Sequence, residues 1–254
     1  MTRIRKAGEF CWINMLTPQP AEAREFFGKV LGWTYFELPG MGHGIKVAGR
    51  DIGGLFDLDG PNTPPGTPAH IGVMAKVENV DATCAKINAV GGTVKMALDI
   101  MDNLRMAVCV DPNGAEFDLW EPKKAHGMEV DGHQHGAPCW FESLTDDVDR
   151  ATAFYSGLFG WRPEVMAMPG YNYTVFNLGN MQAAGMMQIT PEMGDFPPHW
   201  GVYFTSNSVD ETANEAARLG AKLCVPVRDI PGVGRFAGIT SRQGVTFYVI
   251  KYNC

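Results

Sequence analysis

Ala23, Phe26, Phe27, Val30 and Leu31 fall at i, i+3, i+4, i+7 and i+8, one apolar stripe of a 3.6-residue period, and predict a helix. The stripe returns 128 residues later as Ala151, Phe154, Tyr155, Leu158 and Phe159. Pro20 suits the first turn of the first helix and Asp147 the N-cap of the second. Gly32 and Gly160 close them, because glycine takes the left-handed C′ conformation without a steric penalty. Ahead of each helix, alternation predicts a strand, at residues 9–16 around Trp12, Asn14 and Leu16 and at Pro138–Leu144 around Trp140 and Glu142. Cys11-Trp12 matches Cys139-Trp140 and Gly32-Trp33 matches Gly160-Trp161 at the same spacing. A period of 128 is too long for a solenoid and is the size of a domain, so the pattern reads as a duplicated domain.

The rest of the chain extends the pattern. Short strands at Thr34–Leu38, Ile45–Ala48 and Ile52–Leu58, with turns at Gly40-Met41-Gly42 and Gly49-Arg50-Asp51, complete a βαβββ module. A proline-rich linker, Pro61 to Pro68, leads to a second module. It has a strand His70–Val77, a helix from near Asn79 to Gly91-Gly92, and strands Val94–Met96, Arg105–Val110 and Ala115–Trp120. Asp111-Pro112-Asn113-Gly114 has the chemistry of a hairpin turn. Residues 122–136 carry Pro122, Gly127, Gly132 and Gly136 without an apolar period and read as a linker between halves. Strands near Glu164–Met168, Tyr173–Leu178 and Gln182–Ile189 finish the third module, and His199-Trp200 opens the fourth. Its helix starts at the capping box Ser208-Val209-Asp210-Glu211 and ends at Gly220. The fold class is therefore α+β. Four βαβββ modules, at about 9–58, 69–122, 137–189 and 198–252, pair into two similar domains, 1–125 and 134–254.

Composition narrows the partners. The 254 residues carry a formal charge of −7 without a clustered Lys/Arg patch, which argues against nucleic acid. Thr2-Arg3-Ile4-Arg5-Lys6 is basic but no signal-peptide core comes after it, and no apolar run approaches the ~18 residues of a membrane span. None of the six cysteines pair as C-x-x-C, so they read as small buried hydrophobes in a reducing, cytoplasmic protein. A small-molecule ligand is the expected partner, and a homodimer is compatible with the sequence.

The stretches Phe26–Trp33 and Phe154–Trp161 after the first strand of each half, and Asp111–Trp120 closing the first half, resemble the vicinal oxygen chelate superfamily of glyoxalases, bleomycin-resistance proteins and extradiol dioxygenases. Pro198–Phe204 and Ile230–Phe236 look like a duplicated branch of hydroxylase-type or secreted-antigen-like proteins. The resemblance implies two glyoxalase/bleomycin-resistance-type domains, each a U-shaped sheet around a cavity. It also implies His, Gln or Glu metal ligands on the first and last strands of each module. Here those first-strand positions are Trp12, Gly72, Trp140 and Gly201. The last-strand positions are Asp118 in the second module and Tyr248 in the fourth, with Leu55-Phe56-Asp57 and Met186-Met187-Gln188 covering the other two.

Three readings are open, since such folds serve many functions. The first is a protein that binds, and converts, a small largely apolar molecule without a tightly held metal or other cofactor. Trp12, Asn14, Met74, Asp118, Trp140, Tyr203 and Tyr248 would line the sites, and Glu142 would act as general base. Glu142 also reads as a hydrogen-bonded carboxylate at a cavity mouth. The second is a metal-dependent lyase or dioxygenase using one divalent ion in the first half, with Asp57, His70 and Asp118 as ligands. The third is a silent binding module. His70 and His199 also read as hydrogen-bonded histidines at strand starts, His126, His133 and His135 as solvated linker residues, and Arg105 and Arg235 as structural ion-pair partners. Gly232-Val233-Gly234 has the wrong spacing for a dinucleotide loop.

Overall fold

The computed structural model describes residues 4–60, 63, 66–130 and 132–253. Pro61, Asn62, Pro64 and Pro65 of the first linker, and Thr2 and Arg3 of the basic N-terminal run, lie outside the described residues. The first half runs β1 (Phe10–Thr17), α1 (Pro20–Leu31), β2 (Thr34–Leu38), β3 (Gly42–Val47), β4 (Arg50–Asp57), β5 (His70–Lys76), α2 (Val80–Ala89), β6 (Thr93–Ile100), β7 (Leu104–Val110) and β8 (Glu116–Pro122). The second runs β9 (Pro138–Thr145), α3 (Val148–Phe159), β10 (Arg162–Met168), β11 (Tyr171–Leu178), β12 (Met181–Gln188), β13 (His199–Thr205), α4 (Val209–Arg218), β14 (Lys222–Ile230), β15 (Gly234–Thr240) and β16 (Thr246–Tyr252). Each half is one eight-stranded sheet. The orders are β2-β3-β4-β1-β5-β8-β7-β6 and β10-β11-β12-β9-β13-β16-β15-β14, so the modules join edge to edge at β1/β5 and β9/β13.

The helices end as their caps dictate. Gly32 and Gly160 take φ of 67° and 69°. Asn79, Asp147 and Ser208 each accept a backbone N–H three residues on. The second turn of the first module differs from expectation. Ala48 and Gly49, at φ 48° and 76°, form it, and Arg50 and Asp51 already belong to β4. Two left-handed residues match the twist of the flanking strands. The strand predicted at Val94–Met96 is also longer, because pairing with β7 carries β6 to Ile100.

The two sheets stand back to back with the helices between them. Their inner faces and the helices share one apolar core that runs through both halves. Phe10 meets Phe141 at 4.6 Å, Phe27 meets Phe247 at 5.0 Å, and Phe117 meets Phe154 at 6.0 Å. A matched pair of hydrogen bonds crosses the junction. Trp161 Nε1 donates to the Gly8 carbonyl and Trp33 Nε1 to the Gly136 carbonyl, each at 2.8 Å. The linker is not loose. Met128 and Val130 are buried, and the Met128 amide donates to the Cys11 carbonyl at 2.7 Å.

Cys11 and Cys139 recur for a structural reason. On β1 the pairing with β5 slips between Phe10 and Trp12, and on β9 the pairing with β13 slips between Pro138 and Trp140. Each cysteine is the extra residue of a β-bulge, and each joins a small cluster on the concave side of its sheet. Cys11 and Cys109 are buried, Cys84 and Cys139 half-buried, and Cys224 exposed, which corrects the expectation of uniformly buried thiols; Cys254 lies outside the described residues.

Candidate functional site

With the helices and the shared core on one face of each sheet, the other faces form two cups, each with its own small side-chain cluster. In the second cup, β9 carries Trp140 and Glu142 on that face, because alternate residues point the same way. β13 and β16 place Tyr203 beside Tyr248, in register and with rings stacked 4.6 Å apart. β11 adds Tyr173. Glu142 is buried, at 5% exposure, and lies among these aromatics. Tyr203 donates to Oε1 at 2.8 Å and Tyr173 to Oε2 at 2.7 Å. Trp140 Nε1 donates to the Tyr173 hydroxyl at 2.8 Å. The chain Trp140–Tyr173–Glu142–Tyr203 is thus continuous. A close approach at Gly185 makes it fit, since a Cβ there would lie 1.9 Å from the Tyr173 hydroxyl oxygen.

Burial pushes the Glu142 carboxyl above the usual carboxylate range, and the two tyrosine hydrogen bonds oppose that shift without cancelling it. The phenols of Tyr173 and Tyr203 are raised as well, first by burial and then by the neighbouring carboxylate. Such a group can take up or release a proton, and its phenol partners hold its oxygens in place. Sequence reasoning placed Glu142, Trp140, Tyr203 and Tyr248 near this cup and missed Tyr173. The alternation Tyr171-x-Tyr173 was the available signal, but its pairing with Met187 on β12 exists only in the sheet. Glu142 lies on the buried floor, not at the mouth.

The first cup has different chemistry at the same positions. Trp12 and Trp120 rings lie 5.2 Å apart, Met74 is buried, and the Asn14 amide donates to Met74 Sδ at 3.3 Å. Asn14 takes the place of Glu142. Asp118, paired with Met74, takes the place of Tyr248. Asp118 is 8% exposed, and burial pushes its carboxyl up to about 8, opposed in part by the Asn14 amide. Each cup therefore holds one buried carboxyl, on β8 in the first half and on β9 in the second.

The three residues expected to hold a divalent ion do not converge. Asp57 pairs with Thr17 at the end of β4, is exposed, and accepts the Asp59 amide at 3.0 Å. His70 lies opposite Leu16, and its Nδ1 donates to the Pro68 carbonyl at 2.8 Å. Asp118 aligns with Met74, four residues along β5 from His70, or about 13 Å at the usual strand rise. A bond to such an ion spans about 2.0–2.2 Å, so these three cannot share one. Among the described residues no three His, Cys, Asp or Glu side chains gather as a metal-holding group. His199 also donates to a proline carbonyl, that of Pro197, at 2.9 Å. His135 Nδ1 accepts the Asn207 amide. Arg105 pairs with Asp81 and Asp99, and Arg235 with Asp210 and Asp229, on the surface.

Comparison with known proteins agrees with this architecture. Residues 10–119 match the model of the Glyoxalase/Bleomycin resistance protein/Dioxygenase superfamily. The Mycobacterium tuberculosis protein CFP32, whose name gives it provisionally as a glyoxylase, is 34% identical over 247 residues, 94% of this chain and 93% of its own. The chain belongs to the glyoxalase/bleomycin resistance protein/dioxygenase superfamily. A second relative, the anthracycline biosynthesis protein DnrV of Streptomyces peucetius, is 29% identical over 266 residues, 99% of this chain and 95% of its own. Among solved structures, the Mn(II)-bound glyoxalase of Novosphingobium aromaticivorans superposes with a TM-score of 0.64 at 16% identity, over 98% of this chain and 83% of that one. An extradiol ring-cleaving dioxygenase from B. fuscum gives 0.66 at 13% identity, over 100% and 75%. At these identities the structural likeness is one of fold. Among the described residues, no helix is long and apolar enough to cross a membrane.

Proposed function

We propose that this glyoxalase-superfamily protein binds a small, largely apolar molecule in its second cup, and that Glu142 exchanges a proton with it without a tightly held metal. The observation that carries the reading is the buried Glu142 carboxyl, held by two phenol donors inside an aromatic wall. Flat apolar ligands gain from such walls by area burial and ring stacking. Burial raises this carboxyl above the usual carboxylate range, the direction that strengthens it as a proton acceptor. The relative DnrV, named for anthracycline biosynthesis, supports a polycyclic aromatic ligand.

The test uses 1-hydroxyanthraquinone as a probe of the cup, with binding followed by tryptophan quenching and transfer of its hydroxyl proton to Glu142 followed by the visible absorbance shift of the ionised probe. Tyr203→Ala, which removes one wall and one hydrogen bond to Glu142, is expected to weaken binding at least about tenfold. Glu142→Gln is expected to hold affinity within a few-fold and to abolish the absorbance shift. An unchanged absorbance shift in Glu142→Gln would remove that residue from the chemistry.

A further inference from the structure

A separate cleft of about 410 Å³ lies beside the second cup. Its walls come from four stretches of the chain: Arg5 and Glu9 ahead of β1, Gly132 and His133 in the linker, Trp140 at the start of β9 and Gln182 at the start of β12. The register explains why there is space. The parallel strands β9 and β12 pair only from Glu142 and Gly185 onward, so the sheet is splayed at Trp140. The linker and the N-terminal segment roof that gap without filling it. The volume falls within the range of small-molecule pockets.

The chemistry of the lining selects a ligand class. Trp140 is half-buried and offers a flat indole. Its N–H is already given to Tyr173, so the indole brings no spare donor to the cleft. Arg5 and Glu9 bring opposite formal charges to the wall, which leaves it without a net charge to draw an ion. The whole chain, at −7, disfavours anions further. Gln182 supplies both a donor and an acceptor.

We propose that this cleft is a binding site for a neutral, planar aromatic molecule bearing a hydroxyl group, with its ring against Trp140 and its hydroxyl on the polar rim. The site shares Trp140 with the cup described above and does not depend on proton transfer at Glu142.

Calorimetric titration at pH 7 with three probes tests it: 2-naphthol, its anionic counterpart 2-naphthoate, and trans-2-decalol, which keeps the hydroxyl and loses the flat ring. The naphthol is expected to bind, with the other two weaker by about tenfold or more. Trp140→Ala and Gly132→Leu should each weaken naphthol about tenfold, whereas Trp140→Phe should hold it within about threefold. Gly132 can accept the side chain, because its backbone is not left-handed and the nearest atom to a Cβ there is 3.5 Å away. Thermal melts confirm that each variant is folded, and Trp140→Ala stands as the independent test if Gly132→Leu is not. Naphthol binding unchanged in a folded Trp140→Ala or Gly132→Leu protein, naphthoate or decalol binding as tightly as naphthol, or no naphthol binding to the wild type would each overturn the proposal. The absorbance shift of 1-hydroxyanthraquinone in Gly132→Leu reads the Glu142 site separately, so failure of one site is distinguishable from failure of the other.

Discussion

At the scale of single residues, the buried carboxyls of the two cups, Asp118 and Glu142, make the halves chemically unequal. Asn14 and Glu142 are equivalent, as are Asp118 and Tyr248, yet the acid sits on opposite members of the two pairs. Asp118 has no tyrosine donors, and burial among apolar side chains lifts it from 3.8 to about 8. The consequence for stability has a definite sign. Between those two values the folded protein keeps a proton that the unfolded chain releases, so stability falls as pH rises from about 4 to about 8. The contribution is fully present below the unfolded value and lost as pH passes the folded one. Asp118→Asn should flatten that part of the profile by a few kcal/mol, on the order of the linkage expected for a buried acid. Urea denaturation at a series of pH values measures it, and an identical slope in the mutant would contradict the assignment. Burial raises Glu142 in the same direction.

At the scale of elements, the first helix of each half is anchored by the tryptophan just past its glycine stop. Trp33 and Trp161 come directly after the two stops, and each reaches across the junction to a glycine carbonyl of the other half. Trp33→Phe and Trp161→Phe keep the ring and strand the buried acceptor, so each should cost about 1–3 kcal/mol in denaturant unfolding. A cost in one and none in the other would show that the two junctions are energetically unlike. The stripe of α3 is similarly committed. Phe154 packs on Phe117 of β8 and is 2% exposed, so Phe154→Ala should cost about 3–5 kcal/mol. An unchanged melting temperature would mean that this face is not core.

At the scale of the whole molecule, the repeat in the sequence and the unit of stability are different things. Each sheet is built within one half, but α1 packs towards Phe247 and α4, and α3 towards Phe117 and α2. A single half would expose Phe26, Phe27 and Trp33, or Phe154, Tyr155 and Trp161, to water. Residues 1–125 expressed alone should therefore lack a cooperative thermal transition or should associate, and mixing with 134–254 should restore one transition. Circular dichroism and sedimentation together check this, and a stable monomeric half would refute it.

The duplication, the strand and helix order, the caps and the resemblance were legible in the amino-acid sequence, because they rest on local period, on glycine and proline geometry and on spacing along the chain. Trp12, Asn14, Trp140 and Glu142 could be assigned to a concave face for the same reason, since alternation along one strand settles which residues share a side. What those faces become was decided by pairing between strands. The linkage of Glu142 to Tyr173 joins β9 to β11 across β12, with Gly185 making the room, and no spacing along the chain encodes it. The separation of Asp57 and His70 from Asp118 comes from register across β4, β1, β5 and β8. The cleft at Trp140 depends on where β9 and β12 begin to pair and on a linker whose buried Met128 and Val130 show no period at all. Local rules are written in neighbouring residues, whereas a site is made where distant ones are brought within a few ångströms by the sheet.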